Sequence, residues 1–201
     1  MTDLSRFWPL DDADVRDRLV ARYADPARGY HDVQHLTEVL EHVELLLADE
    51  PADRAAVLLA AWFHDAVYDG QGDDERRSAA LVREELDGTV REALVEEVAR
   101  LVLLTERHDP EPDDVAGAVL CDADLAILAA DRRRYDDYRA GVREDYAHVE
   151  DAVFDAGRAA VLADLLARDS LFHTPTGRRL WEERARTNLS RELALAQRRL
   201  P

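Results

Sequence analysis

Apolar residues recur along this chain at intervals of three and four, the spacing that lines one face of an α-helix, and no stretch alternates as a half-buried strand would. The pattern predicts helix after helix. Asp11 and Asp12 can cap a first helix running to Tyr23, and Asp25-Pro26-Ala27-Arg28-Gly29-Tyr30 reads as a turn. Val33, Leu36, Val39, Leu40, Val43 and Leu47 form the apolar stripe of a second helix. A third is expected to open with Pro51 in its first turn and to stop near Asp69-Gly70-Gln71-Gly72. A fourth runs from Asp73 or Asp74 to Leu86, closed by Asp87-Gly88, and Thr89 caps a fifth ending around His108-Asp109-Pro110. Asp113 starts a sixth, which carries Cys121 to Leu125, and further helices are expected over 131–149, 151–168 and 177–199. The expected class is all-α, with residues 1–201 forming a single helical domain.

One stretch breaks the pattern. Between Ala55 and Tyr68 the chain is apolar on nearly every side except at His64-Asp65. A helix apolar all round belongs in a core, where a carboxylate without partners costs several kcal/mol or takes up a proton. A bound cation offsets that cost, and it needs more ligands than two. His35 lies at the border of the second helix's stripe, about 40° from Val39 and 80° from Val43, so it can face inward. In a helix over 113–128, Val115, Ala118, Val119, Leu125 and Ala126 lie within about 60° of Asp122, while Asp124 faces roughly the opposite way. Asp122 is therefore the expected fourth ligand. Two imidazoles and two carboxylates suit one divalent ion drawn from Mn, Fe, Ni, Co, Zn or Mg, with water in the open positions.

Composition narrows the partners. With 201 residues and 47% apolar content the chain can bury a substantial core, and no apolar run approaches the roughly 18 residues of a membrane span. The first ten residues lack the basic and apolar regions of a secretory signal, and the lone Cys121 allows no internal disulfide. Both point to the cytoplasm. A net charge of −18 disfavours binding to nucleic acid or anionic membranes through a general basic surface, so any phosphate must be held by local donors.

The order His35, His64-Asp65, Asp122, with 29 residues between the histidines and 57 between the aspartates, resembles the HD superfamily of metal-dependent phosphohydrolases. A closer resemblance, to a group of small bacterial predicted HD hydrolases, covers nearly the whole chain. It is carried by Arg28-Gly29-Tyr30-His31-Asp32-Val33-Gln34-His35, Trp62-Phe63-His64-Asp65-Ala66-Val67-Tyr68, Asp74-Glu75-Arg76-Arg77-Ser78-Ala79 and Asp122-Ala123-Asp124-Leu125. It continues in Val142-Arg143-Glu144-Asp145-Tyr146 and Gly157-Arg158. The resemblance implies a helical metal-binding core over about 28–130 followed by C-terminal helices over about 131–199. It makes His35, His64, Asp65 and Asp122 the ligands of one metal, with hydrolysis of a nucleotide or other small phosphoester as the expected reaction. HD oxygenases and two-metal members carry further histidines between the HD pair and the last aspartate. Here only His108 falls in that interval.

A second tier of residues is expected around the metal. Glu75 can orient or deprotonate the attacking water beside Asp65, or simply complement the start of its helix. Arg28, His31, His108, Arg143 and Arg158 are the expected substrate contacts. His31 stands one turn before His35, and Arg143 and Arg158 interrupt apolar or aromatic surroundings where a guanidinium can clamp a phosphate. Each has a structural alternative: a cap for His31, a helix-end cation for His108, an ion pair for either arginine. His42 is two turns from His35 and is not an expected ligand. The C-terminal stripe of Leu180, Leu189 and Leu193 packs on the core or on a second copy of the chain, which leaves a homodimer open.

Overall fold

The structure, a computed structural model, describes residues 3–70 and 72–198. It is all-helical, with α1 over Ala13–Tyr23, α2 over Val33–Leu47, α3 over Arg54–Phe63, α4 over Asp74–Leu86 and α5 over Glu92–Leu104. These are followed by α6 over Val115–Leu125, α7 over Arg132–Asp145, α8 over Asp151–Ala167 and α9 over Pro175–Gln197. The expected last turn at Arg199, and Gln71 in the loop after α3, lie outside the described residues. Among the described residues no helix is long and apolar enough to cross a membrane.

Part of the chain's acidity is spent on starting these helices. Asp12, Asp32, Asp53, Asp114 and Asp131 each accept a hydrogen bond from a backbone N–H in the first turn of the helix they precede. Each such cap stabilises its helix by about 1 kcal/mol. Four starts differ from expectation: Pro51 precedes α3, which Asp53 caps; α5 follows Arg91, whose side chain makes no capping bond, and not Thr89; Asp114 in place of Asp113 caps α6; and α9 opens at Pro175 after Thr174.

α3 is the centre of the packing. Ala56 to Phe63 are buried without a break, and α2, α4, α5 and α6 pack around them in one apolar cluster. A second cluster joins Tyr30 to α7, α8, α9 and the 3-10 turn Ala126–Ala129, and Trp181 packs against both. The loop before α2 is pinned between these bodies. Gly29 and Gly141 of α7 meet backbone to backbone, where a Cβ on either would collide with the other. Asp145 accepts from the N–H groups of Gly29 and Tyr30, at 2.6 and 3.2 Å.

Asp122, expected as a metal ligand, has another task. Its carboxylate accepts from the N–H of His173 at 2.7 Å, the N–H of Thr174 at 2.8 Å and the hydroxyl of Thr174 at 2.7 Å. Thr174 is the N-cap of α9, so Asp122 ties the start of α9 to α6. Gly177 in the first turn leaves room for it, because a Cβ there would strike the Asp122 carboxylate. The helical-wheel argument fails for α6 because Val119 to Ala123 are all buried, and a helix enclosed on every side has no outward face to which Asp124 could be assigned.

Replacing Asp122 by alanine strands two buried N–H groups, and an expected loss of about 3 kcal/mol would lower Tm by roughly 10 °C in a calorimetric scan. Divalent-metal content should be unchanged in that variant. Glu192 on α9 gives a pH-dependent counterpart. It accepts from Tyr135 and from Arg158, and although burial alone would raise its carboxyl, these bonds hold it below its ordinary value of 4.5. A lowered carboxyl contributes stability that is complete above the unfolded value and lost as pH falls through the folded one. Urea titrations should find Glu192→Gln less stable than the native chain at pH 7, with the difference shrinking below about pH 4.5.

Candidate metal centre

The HD pair stands at a helix end, not within a helix. α3 closes at Phe63; His64 is its C-cap, its N–H still bonded to the carbonyl of Ala60, and Ala66 bonds back to Phe63 to turn the chain. Leaving the helix is what lets adjacent side chains converge: His64 Nε2 and Asp65 Oδ2 are 3.1 Å apart. Three carbonyls in and near this turn, those of His31, Asp65 and Ala66, accept from the Arg28 guanidinium. Arg28 therefore braces the HD turn against the loop before α2, and its bonded donors face the backbone. Expected as a substrate contact, Arg28 is found making these structural bonds.

His35 enters from the first turn of α2, where the Asp32 cap accepts from its own N–H. Its Nε2 lies 3.1 Å from His64 Nε2, 3.2 Å from Asp65 Oδ2 and 3.3 Å from Asp124 Oδ1. His64 Nε2 is 3.6 Å from the same Asp124 oxygen. One ligand atom each from His35, His64 and Asp124 falls within 4.8 Å of the other two. The last carboxylate of the cluster is thus Asp124, not Asp122.

These spacings fit a shared cation. Ligand atoms about 2.1 Å from one ion stand ~3.0 Å apart at a right angle and ~3.4 Å apart at the tetrahedral angle. The tautomers fit as well. The carbonyl of Ala61 can only accept, so His64 Nδ1, 2.8 Å away, carries the proton and leaves the Nε2 lone pair aimed at the cluster. His108 does the equivalent for Asp124, with its Nε2 2.7 Å from Oδ2 while Oδ1 faces the histidines. His108 does so from a left-handed backbone conformation at φ 51°, fastened by its N–H to Leu104 and by its carbonyl, which accepts from Arg168 and lies 3.2 Å from the His173 ring nitrogen.

The cluster lacks positive charge of its own. Burial favours neutral imidazoles, yet the carboxylates of Asp65 and Asp124 outweigh it and raise both His35 and His64, the latter strongly. Burial likewise opposes ionisation of Asp65 and Asp124, but the facing histidines hold both well below the usual carboxylate range. Either protons or one divalent cation can supply the missing charge; a cation would engage His35, His64 and Asp124 together, with Asp65 beside the two histidines.

The cluster opens into a cavity of about 740 Å³. His31, Glu75, His108 and Arg158 line it as expected, and Arg143 does not. Arg143, expected as a phosphate clamp, donates to the carbonyls of Tyr146 and Val149 and to Asp151, which ties α7 to the start of α8. Arg158 donates to Glu192 and to Tyr138. His31 is held by Asp145 at 2.7 Å and stacks on Tyr68 with ring centres 3.8 Å apart. The Glu75 carboxyl is raised by partial burial and by Asp65 and Asp74 nearby.

Tyr30 is the residue that the sequence reading passed over. Its ring packs on that of His35 at 4.6 Å, and its hydroxyl is buried without a hydrogen-bond partner among the described residues, in a side chain that lines the cavity. Burial, with Asp124 adding to it, raises this hydroxyl well above its usual range and keeps it a donor. A buried donor without a partner, on a ring packed against His35, is a group that a bound oxyanion could satisfy. No family model matches the chain, and no curated protein or solved structure matches it either.

Proposed function

We propose that the protein is a divalent-metal-dependent phosphohydrolase of the HD type, acting on a nucleotide or another small phosphoester. The observation that carries this reading is that His35, His64 and Asp124 each offer a ligand atom within reach of one ion, with Asp65 Oδ2 close to both histidines, beside a cavity of ligand size. A divalent ion held by these residues would supply Lewis-acid activation of water and charge stabilisation at a phosphoryl oxygen.

The chain's own residues complete the chemistry. Ala61 and His108 fix the orientation of His64 and Asp124, so the ligand set is held in place before substrate arrives. Glu75, with its raised carboxyl, accepts the proton of the attacking water. His31, braced by Asp145 and Tyr68, donates a proton to the departing alkoxide. The Tyr30 hydroxyl donates to a non-bridging phosphate oxygen.

The test is a panel of nucleotides, sugar phosphates and simpler phosphomonoesters assayed with added Mn, Co or Ni, together with metal analysis of each purified variant. The expected native result is one metal per chain and hydrolysis of at least one ester. His64→Ala and Asp124→Ala should lose both metal and activity, whereas Glu75→Gln should keep the metal and lose about 100-fold in kcat. Activity that survives in both His64→Ala and Asp65→Ala refutes the proposal. Tyr30→Phe should cost about tenfold in kcat/KM while metal content and Tm stay native. A metal that binds tightly with no ester hydrolysed would leave a metal-binding regulatory protein as the reading.

A further inference from the structure

The far wall of the cavity differs from its acidic floor. Val153, Phe154, Gly157 and Val161 of α8 all line it, and on a helix these four fall within an arc of about 100°. α8 turns Ala159 and Leu162 into the second core cluster's side, yet Val153 and Val161 remain 62% and 51% exposed. An apolar helix face left open across a cavity from a ligand cluster is unburied by the protein itself, and the concavity is of a size for a small molecule.

Gly157 adds a second observation. Glycine inside a helix is destabilising relative to almost any other residue. A Cβ placed on Gly157 meets nothing within 4 Å, so no neighbouring group requires its absence. What the missing side chain provides is depth in the cavity.

Charge decides what sort of molecule fits. Asp65, Asp74, Glu75, Glu106 and Asp124 line the same cavity, and Arg158, its one arginine among the described residues, already serves Glu192 and Tyr138. A triphosphate would bring three or four further negative charges into a space with no uncommitted guanidinium. A single phosphate at the His-Asp cluster is tolerated, and the remainder of the substrate meets valine, phenylalanine and open helix backbone.

We infer that the substrate is a phosphate monoester whose organic part is flat, uncharged and apolar or aromatic, seated on the α8 face, with Gly157 setting how large a group is accepted. This rests on the phosphohydrolase reading for the phosphate end, while the α8 face stands independently of turnover. A Cβ at position 157 meets nothing within 4 Å and leucine is the better helix former, so Gly157→Leu is expected to fold.

The experiment compares 1-naphthyl phosphate, glycerol phosphate and ATP as substrates with Mn present, and measures binding of 1-naphthylphosphonate by calorimetry to the native chain and to Gly157→Leu. The native chain should prefer the naphthyl ester by about tenfold or more in kcat/KM over both others. Gly157→Leu should weaken phosphonate binding and raise KM for the naphthyl ester by about tenfold, with Mn binding within about twofold of native. Preference for ATP or glycerol phosphate, or a Gly157→Leu variant that binds the phosphonate as the native chain does, overturns the inference with hydrolysis intact. Should no ester be hydrolysed while the phosphonate still binds the native chain and not Gly157→Leu, the hydrolase reading falls and the α8 site stands. Absence of phosphonate binding to the native chain overturns it outright.

Discussion

Two imidazole nitrogens 3.1 Å apart, in side chains that are 2% and 1% exposed, are the constraint around which this molecule is arranged. With His64 Nδ1 committed to the Ala61 carbonyl, its Nε2 faces His35, and two carboxylates crowd the same space and draw positive charge toward the pair. Such a group is unstable in a protein interior until positive charge enters. That requirement links the fold to its chemistry, because residues that stabilise nothing alone become a binding site once a cation arrives.

Much of the remaining structure serves to hold the group still. The Asp32 cap fixes the backbone at His35, Arg28 ties the HD turn to the loop before α2, and His108 accepts a strained backbone to orient Asp124. The C-terminal helices join in through Asp122, which anchors α9, and through the Gly29–Gly141 contact, which sets α7 against the loop carrying Tyr30 and His31. α7 and α8 then provide the cavity wall opposite the ligands. The candidate site therefore draws on both apolar clusters: its His-Asp group stands on α2, the end of α3 and α6, which pack in the first, and most of its apolar lining belongs to the second.

How much of this was legible in the sequence varies with the physics behind each signal. Helices with one buried face, such as α2, declare themselves through spacing, and the cap at Asp12 and the acidic pair Asp73-Asp74 place starts to within a residue. His64 was readable because a polar group inside an apolar run demands an explanation, and His35 because it borders the apolar stripe of α2; the structure brings both together with Asp124. Asp124 was not readable, since α6 is buried all round and helical periodicity carries no information there. The pairing of Asp124 with His108 across 16 residues was the available signal, and only the fold reveals it. Arg28 and Arg143 mislead for a related reason: a guanidinium near a motif can face backbone carbonyls as readily as a phosphate. Tyr30 is silent in sequence because its significance lies in a partner it lacks.

The same reasoning separates the two acids of Asp122-Ala123-Asp124. Both are needed, one by the α9 start and one by the ligand cluster, and their bonds are made to different bodies. The most direct test of the account is anomalous X-ray diffraction at the manganese edge from crystals grown with Mn. The account predicts one anomalous peak per chain, in contact with His35 Nε2, His64 Nε2, Asp65 and Asp124 and away from Asp122. A cluster without a peak, or a peak coordinated by Asp122 in place of Asp124, would contradict it.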